Sequence, residues 1–403
     1  MIKMTEGKPS ALILRFALPL LAGNVLQQMY NTVDSLVVGN FVGSTALAAV
    51  GNTAILGMLL FSLFSGLSIG FTIVISQFFG RGDRAKLKRA IDTAYVTAIV
   101  GAIPLTLLGV LLVRPLLALV NTPAGPTMEM SAAYLTIIFL GTIGNLGYNL
   151  NAGILQGLGD SVSSLAFLAV ATVLNIALDL LFVAVFHWGV AGAAWATIIS
   201  QLVSFLAGTV FIVKKLKLTT LRPSEIEFDA PVLGECFRIG LPGAIQTMLF
   251  SFGTMAIQRL VNGYGPSFMA GFNISSRIDS LAFMPIASFA SAVTTFTGQN
   301  IGAGRIDRVK SGFRSSQLMS GAICVVLSAF VIAFAPFLMS LFSRDAEVIS
   351  AGVAVLYRLM PCYILLSVLF ITNSTIRGAG ESLFPLAASM VSFLLLRLPS
   401  AYI

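Results

Sequence analysis

The chain has 403 residues, of which 57% are hydrophobic and only 10% charged. A soluble domain carries about 25% charged residues, so this supply cannot cover a water-facing surface, whereas a membrane interior can take the apolar excess. The formal net charge of +8 would point to nucleic acid on a soluble protein; here the placement of the charge matters more than its sum. Cys236, Cys324 and Cys362 are scattered through apolar stretches, match no metal spacing and predict no disulfide.

The Lys-bearing start leads into an apolar run that contains Pro19, lacks a small-x-small cleavage site and continues into a polar stretch at 27–34. It reads as a retained first span, not a signal peptide. Apolar stretches of about 20 residues or more, the length a hydrocarbon core requires, then recur along the chain. Spans are expected near 13–39, 44–78, 88–113, 131–156, 162–186 and 189–213, and a charged connector near 214–237. Further spans are expected near 238–262, 267–299, 311–335, 348–374 and from 382 onward, eleven in all.

Lys and Arg in the short loops set the orientation. With the N-terminus in the cytoplasm, one side collects Lys3, Lys8, Arg15, the cluster Arg81–Arg89, Lys214 to Arg238, Arg305 to Arg314, and Arg377. That is 18 of the 24 basic residues; the other side has Arg114 and Arg344, while Arg259, Arg277, Arg358 and Arg397 fall within spans. The basic balance is therefore a topology signal, with no nucleic-acid partner expected.

A repeat organises the chain. Phe16-Ala17-Leu18-Pro19 recurs as Ile239-Gly240-Leu241-Pro242, and Gln77-Phe78-Phe79-Gly80-Arg81-Gly82 as Gln299-Asn300-Ile301-Gly302-Ala303-Gly304. Gln156-Gly157-Leu158-Gly159-Asp160-Ser161 recurs as Arg377-Gly378-Ala379-Gly380-Glu381-Ser382. The offsets are 223, 222 and 221, in the same order. Six spans per half make the halves parallel repeats about an axis along the membrane normal. The expected fold is all-α and integral to the membrane: an N-lobe at 1–213, a cytoplasmic connector at 214–237 and a C-lobe at 238–403, around a central cavity. The sixth span should recur near 410–434, so the chain reads as cut within its eleventh helix.

Polar residues inside spans are costly and face a cavity or a partner. The first span carries Asn24, Gln27, Gln28, Asn31 and Asp34 at steps of three or four residues, with Tyr30 beside them. A carboxylate at that depth takes up a proton or stays charged by holding Na⁺; helix capping or pairing is the alternative. The fifth span places Asn175 and Asp179 one helical turn apart, and the sixth does the same with Ala193 and Thr197. These are hard oxygen donors suited to Na⁺, although ordinary interhelical packing also uses such residues. Asn145, Tyr148 and Asn149 form a polar face in the fourth span, fit either to line the cavity or to bond a neighbouring helix. In the second half, Arg277, Asp279 and Arg358 are expected to form a structural or gating ion network. The single His187 sits in an expected outer loop, and no phosphate-binding loop, nucleophile elbow or paired-His motif occurs, so no enzyme is expected.

With these motifs in hand, the whole chain resembles the MATE family, multidrug and toxic compound extrusion, within the superfamily that includes lipid-linked oligosaccharide flippases. The resemblance implies two lobes around a cavity that opens alternately to either side, with Na⁺ or H⁺ entry driving drug exit. It implies that Asp34 is the first-helix acid, and that Asn175, Asp179, Ala193 and Thr197 form the N-lobe cation site of the DinF-like branch. It also implies that Pro19 is where the first helix bends. The NorM-like branch carries acids in the seventh and tenth spans; 238–262 and 348–374 carry none here, which favours coupling through the N-lobe.

The function expected is export of small cationic or amphipathic compounds by antiport with H⁺ or Na⁺. Na⁺ would sit at Asp34, Asn175, Asp179 and Thr197, and substrate at Gln27, Tyr30, Asn31, Asn145 and Asn149. A monomer without a cofactor, multi-pass in the inner (plasma) membrane, is expected. The alternative is a lipid-linked oligosaccharide flippase, which would want a strongly basic central cavity.

Overall fold

A computed structural model describes residues 1–120, 122–220 and 222–392. The expected spans become helices or broken helices at matching positions: α1 Pro9–Phe41, α2 Ser44–Arg81, α3 Arg84–Leu119, α4 Pro126–Leu140 with α5 Thr142–Gly157, α6 Ser161–Asp179 and α7 Gly189–Val210. The second half has α8 Ala230–Val261, α9 Pro266–Gly302, α10 Ile306–Ser340, α11 Ala346–Leu359 with α12 Tyr363–Gly378, and α13 Leu383–Val391. Among the described residues, seven helices are long and apolar enough to cross a membrane, or eight when α4 and α5 count as one bent span. Large apolar side chains stay uncovered along these helices, Leu111, Leu318 and Leu365 among them, as lipid contact requires. Arg397 and the expected break in the eleventh span lie outside the described residues.

Local sequence sets the ends. Asp83, Asp160 and Asp229 each accept a backbone N–H from the first turn of α3, α6 and α8, the capping role that short acidic side chains fill best. The repeat is written into the backbone as well. Gly82 and Gly304, Gly159 and Gly380, and Gly43 and Gly265 pair at offsets of 222, 221 and 222, and all have positive φ, which a glycine adopts without strain.

Two expected single spans are corrected. The stretch 131–156 is broken at Gly141, where α4 and α5 meet at 54°. A Cβ there would overlap Ile198 of α7, so close packing of α7 fills the elbow. The stretch 348–374 is likewise interrupted by a 3-10 turn at Met360–Cys362, at the repeat-equivalent place. Pro361 lacks the N–H and crowds the preceding turn.

The two halves meet most closely at the basic end. α2 lies along α8 and α9, with backbones so near that a Cβ on Gly70 would overlap the Cys236 carbonyl and one on Gly240 the Gly66 carbonyl. A Cβ on Gly80 would overlap the Gln299 carbonyl, and one on Gly302 the Gln77 carbonyl. The same glutamines cross over reciprocally: Gln77 Nε2 donates to the Gly378 carbonyl at 3.2 Å, and Gln299 Nε2 to the Gly157 carbonyl at 3.0 Å.

Two straps close this end further. The N-terminal segment lies on the second half, where Met4 N–H donates to Gln299 Oε1 at 3.0 Å while Arg308 and Asn300 donate to the Met4 carbonyl. The connector lies on the first half, where the buried Asp92 of α3 accepts from Lys88, Thr219 and the Glu227 N–H.

Gly302→Ala is expected to lower the thermal-unfolding midpoint of the purified protein, by an amount equivalent to about 1–3 kcal/mol for overpacking. An unchanged midpoint would mean that the backbone contact with Gln77 is not tight.

Candidate functional site

α1 runs unbroken from Pro9 to Phe41 through Pro19 and packs against α6 and α9. Its inward face lines a cavity of about 570 Å³ with Pro19, Asn24, Gln27, Tyr30, Asn31 and Asp34. Asn145, Tyr148 and Asn149 of α5 and Thr197 and Gln201 of α7 complete the polar wall. Among the lining residues Asp34 alone carries a formal charge. Gln28, read as part of the stripe, is instead exposed and outside this lining. On a helix advancing 100° per residue it falls at the edge of the arc that the other four share.

The polar face of α5 serves two ends at once: Asn149 Nδ2 donates to the Asn145 carbonyl and to its Oδ1 at 2.9 and 3.1 Å, and both residues line the cavity. Asn24 donates to Ser288 of α9 at 2.9 Å, joining the halves near the cavity.

Asn175 and Asp179 are fully buried behind this cavity. Asp179 closes the α-helical part of α6, where the chain turns into a π-helical stretch at Leu180–Val185. Neither Asp179 oxygen, neither side-chain polar atom of Asn175, nor Asp34 Oδ1 has a hydrogen-bond partner among the described residues. Tyr30 and Tyr134 line the cavity beside Asp34. Tyr30 donates its hydroxyl to Thr197 Oγ1 at 3.2 Å. Ala193, one turn from Thr197, packs in a small apolar cluster with Val37, Val38 and Val190, so its side chain contributes only packing.

Burying a carboxylate with no donor is costly unless it is neutralised. An oxygen-seeking cation or a proton would satisfy such groups. No group of three or more His, Cys, Asp or Glu that could hold a metal ion occurs among the described residues. Tyr134, at the same pocket, was not singled out by sequence; an aromatic in an apolar span gives no signal of what it faces.

The expected second-half ion network is corrected. Asp279 accepts a hydrogen bond from the Tyr363 hydroxyl, while Arg277 and Arg358 are exposed and neither forms an ion pair among the described residues. Arg358 donates only to the Ala354 carbonyl of its own helix, at 3.1 Å. Two residues apart on α9, Arg277 and Asp279 point to opposite sides of the helix. Asp279 lines a second cavity of about 690 Å³, whose wall meets the first at Gln156 and Ser291. His187 lies exposed in the turn between α6 and α7.

Comparison with known proteins agrees with this architecture. The MatE family model matches residues 19–181 and 242–403, one match per half. A probable multidrug resistance protein of Bacillus subtilis, YpnP, is 33% identical over 398 residues, covering 98% of this chain and 88% of that protein. The probable multidrug resistance protein NorM of Thermotoga maritima is 26% identical, covering 97% of this chain and 84% of its own length. Among solved structures, an outward-facing multidrug-resistance MATE transporter of the MOP superfamily superposes with a TM-score of 0.92 at 24% identity, covering 100% of this chain and 90% of that one. A double match of the family model and a relative similar over nearly the whole length place this chain in the MATE family.

Proposed function

We propose that this chain exports small cationic or amphipathic organic compounds across the plasma membrane by antiport with H⁺ or Na⁺. The observation that carries the reading is the pairing of a lone cavity carboxylate, Asp34, with the buried and unpartnered Asn175 and Asp179 behind it. An empty cavity side needs a cation there, and a cationic substrate competes for the same negative charge. The names of the relatives, multidrug resistance and export proteins, support the substrate class.

In this reading a cation enters from the open end of the cavity and settles among Asp34, Asn175, Asp179 and Thr197. The Asp34 side of α1 then draws toward α6 and α7. Pro19 gives α1 a weak point, since its ring removes one backbone hydrogen bond. A bend there would narrow the wall formed by Gln27, Tyr30, Asn31, Asn145 and Asn149 and expel the substrate. Residues 1–213 act as the N-lobe and 238–403 as the C-lobe, with the basic end, closed by Gln77 and Gln299, facing the cytoplasm under the loop-charge rule. A single chain suffices for this cycle, and no cofactor takes part.

Asp34→Asn is expected to abolish gradient-driven efflux of a cationic dye from proteoliposomes while the protein stays folded; wild-type efflux by this variant would remove Asp34 from the mechanism. Asn175→Leu separates coupling from packing. In sodium-free buffer the leucine is expected to hold or raise the thermal midpoint, because an unpartnered buried amide costs about 1–3 kcal/mol, while efflux falls. A lowered midpoint with normal efflux would make Asn175 a structural residue.

A further inference from the structure

The second cavity ends on a charge that the cation-coupling reading leaves unused. Arg377 stands in the last turn of α12, where the first repeat carries the neutral Gln156. Loop-charge counting assigns it to the basic surface, yet it lines the cavity wall. Its Nη2 donates to Gln246 Oε1 at 2.7 Å, and this is its one hydrogen bond among the described residues. Among the described residues its Nε is buried without a partner and no carboxylate forms an ion pair with it. Gln246 is itself buried and donates through its amide to Ser389 of α13, so its oxygen is fixed toward Arg377. A half-buried guanidinium whose one hydrogen bond goes to a neutral acceptor keeps free donors in the planar fork that matches carboxylate and phosphate.

The rest of the cavity has the opposite character. Phe370 stacks on Phe250 with centroids 6.4 Å apart and meets Phe283 edge-on at 4.9 Å, and all three rings line the wall. The one carboxylate on that wall, Asp279, is held by Tyr363 and lies far from Arg377. Thr294, whose carbonyl lies against Gly378, is about four turns beyond Asp279 along α9, roughly 20 Å. A volume near 690 Å³ is in the range of small-molecule sites.

We propose that this cavity is a binding site for an oxyanion, a carboxylate or phosphate, carried on an apolar body. The anionic head pairs with Arg377 and the body packs on Phe250, Phe283 and Phe370. The first cavity thus carries a lone carboxylate, Asp34, while the second holds a guanidinium about four helical turns from its own carboxylate, Asp279. Any part of this site in export rests on the transport reading above, but binding at Arg377 does not.

The full-length purified protein tests this with 2-naphthoate, its neutral analogue 2-naphthamide, and short-chain phosphatidylglycerol. Wild-type protein is expected to bind naphthoate, with affinity about tenfold or more weaker in Arg377→Gln and partly recovered in Arg377→Lys, while naphthamide binds all three alike. Arg377-dependent binding of phosphatidylglycerol without naphthoate would assign the site to a lipid headgroup; naphthoate binding assigns it to a soluble organic anion. Equal binding of both anions by wild type and Arg377→Gln would overturn the proposal, as would naphthamide weakening in step with naphthoate. Arg377-dependent binding is expected to survive Asp34→Asn, so loss of coupling and absence of the anion site register separately.

Discussion

The first half buries polar atoms that no group among the described residues satisfies. Asp34 Oδ1, both Asp179 oxygens and both polar atoms of Asn175 lack a partner, although Tyr30 beside them is bonded to Thr197. Removing a carboxylate from water with no donor costs several kcal/mol, and a stable fold retains such a group only where something else discharges it. The remainder of the architecture serves this pocket. α1 and α7 bring Asp34 and Thr197 to the cavity wall, and the end of α6 buries Asp179.

Closure at the other end uses opposite means. Glycines at 66, 70, 80, 240 and 302 let backbones touch where any side chain would collide, and the Gln77 and Gln299 amides bond carbonyls across the interface. Each strap that leads into one half crosses to the other: the N-terminal segment onto α9 and α10, the connector onto α3. These contacts are hydrogen bonds and van der Waals contacts of small groups, each worth little alone. The halves also share buried apolar packing here, Ile13 and Phe16 with Phe289 and Phe296, and Phe71 with Cys236 and Ile239, so opening this end must part those side chains as well. Symmetry governs the seal but not the cavities, where Gln156 in one half faces Arg377 in the other.

The large-scale features were legible because a hydrocarbon core leaves few options. Long apolar runs, loop charge and a repeat near 222 residues led to the helix order, and even the positive-φ glycines obey that offset. Period and chemistry agreed for Asp34, which lies on the inward face of α1, and for Asn175 with Asp179, which lie buried on α6. They failed where helical geometry is finer than spacing: Gln28 falls at the edge of the polar arc, and Arg277 lies across the helix from Asp279. Arg377 was hidden for another reason. A basic residue near a helix end counts as a loop charge, and only the packing of α12 on α9 and the bond to Gln246 of α8 turn it inward. The repeat did carry a signal, an arginine replacing a glutamine at an equivalent position. The bend at Gly141 depends on Ile198 of a distant helix, which no local pattern announces.

On this reading Asp34, Asn175 and Asp179 hold a small cation in the folded state. A cation that binds only the folded protein raises the thermal-unfolding midpoint as its concentration grows. The most direct measurement is therefore the midpoint of the purified protein across sodium concentration and, separately, across proton concentration, for the wild type and for Asp179→Asn. The account predicts that the wild-type midpoint rises with one of the two cations and that Asp179→Asn no longer responds to it. A midpoint indifferent to both, or a response identical in Asp179→Asn, would contradict it.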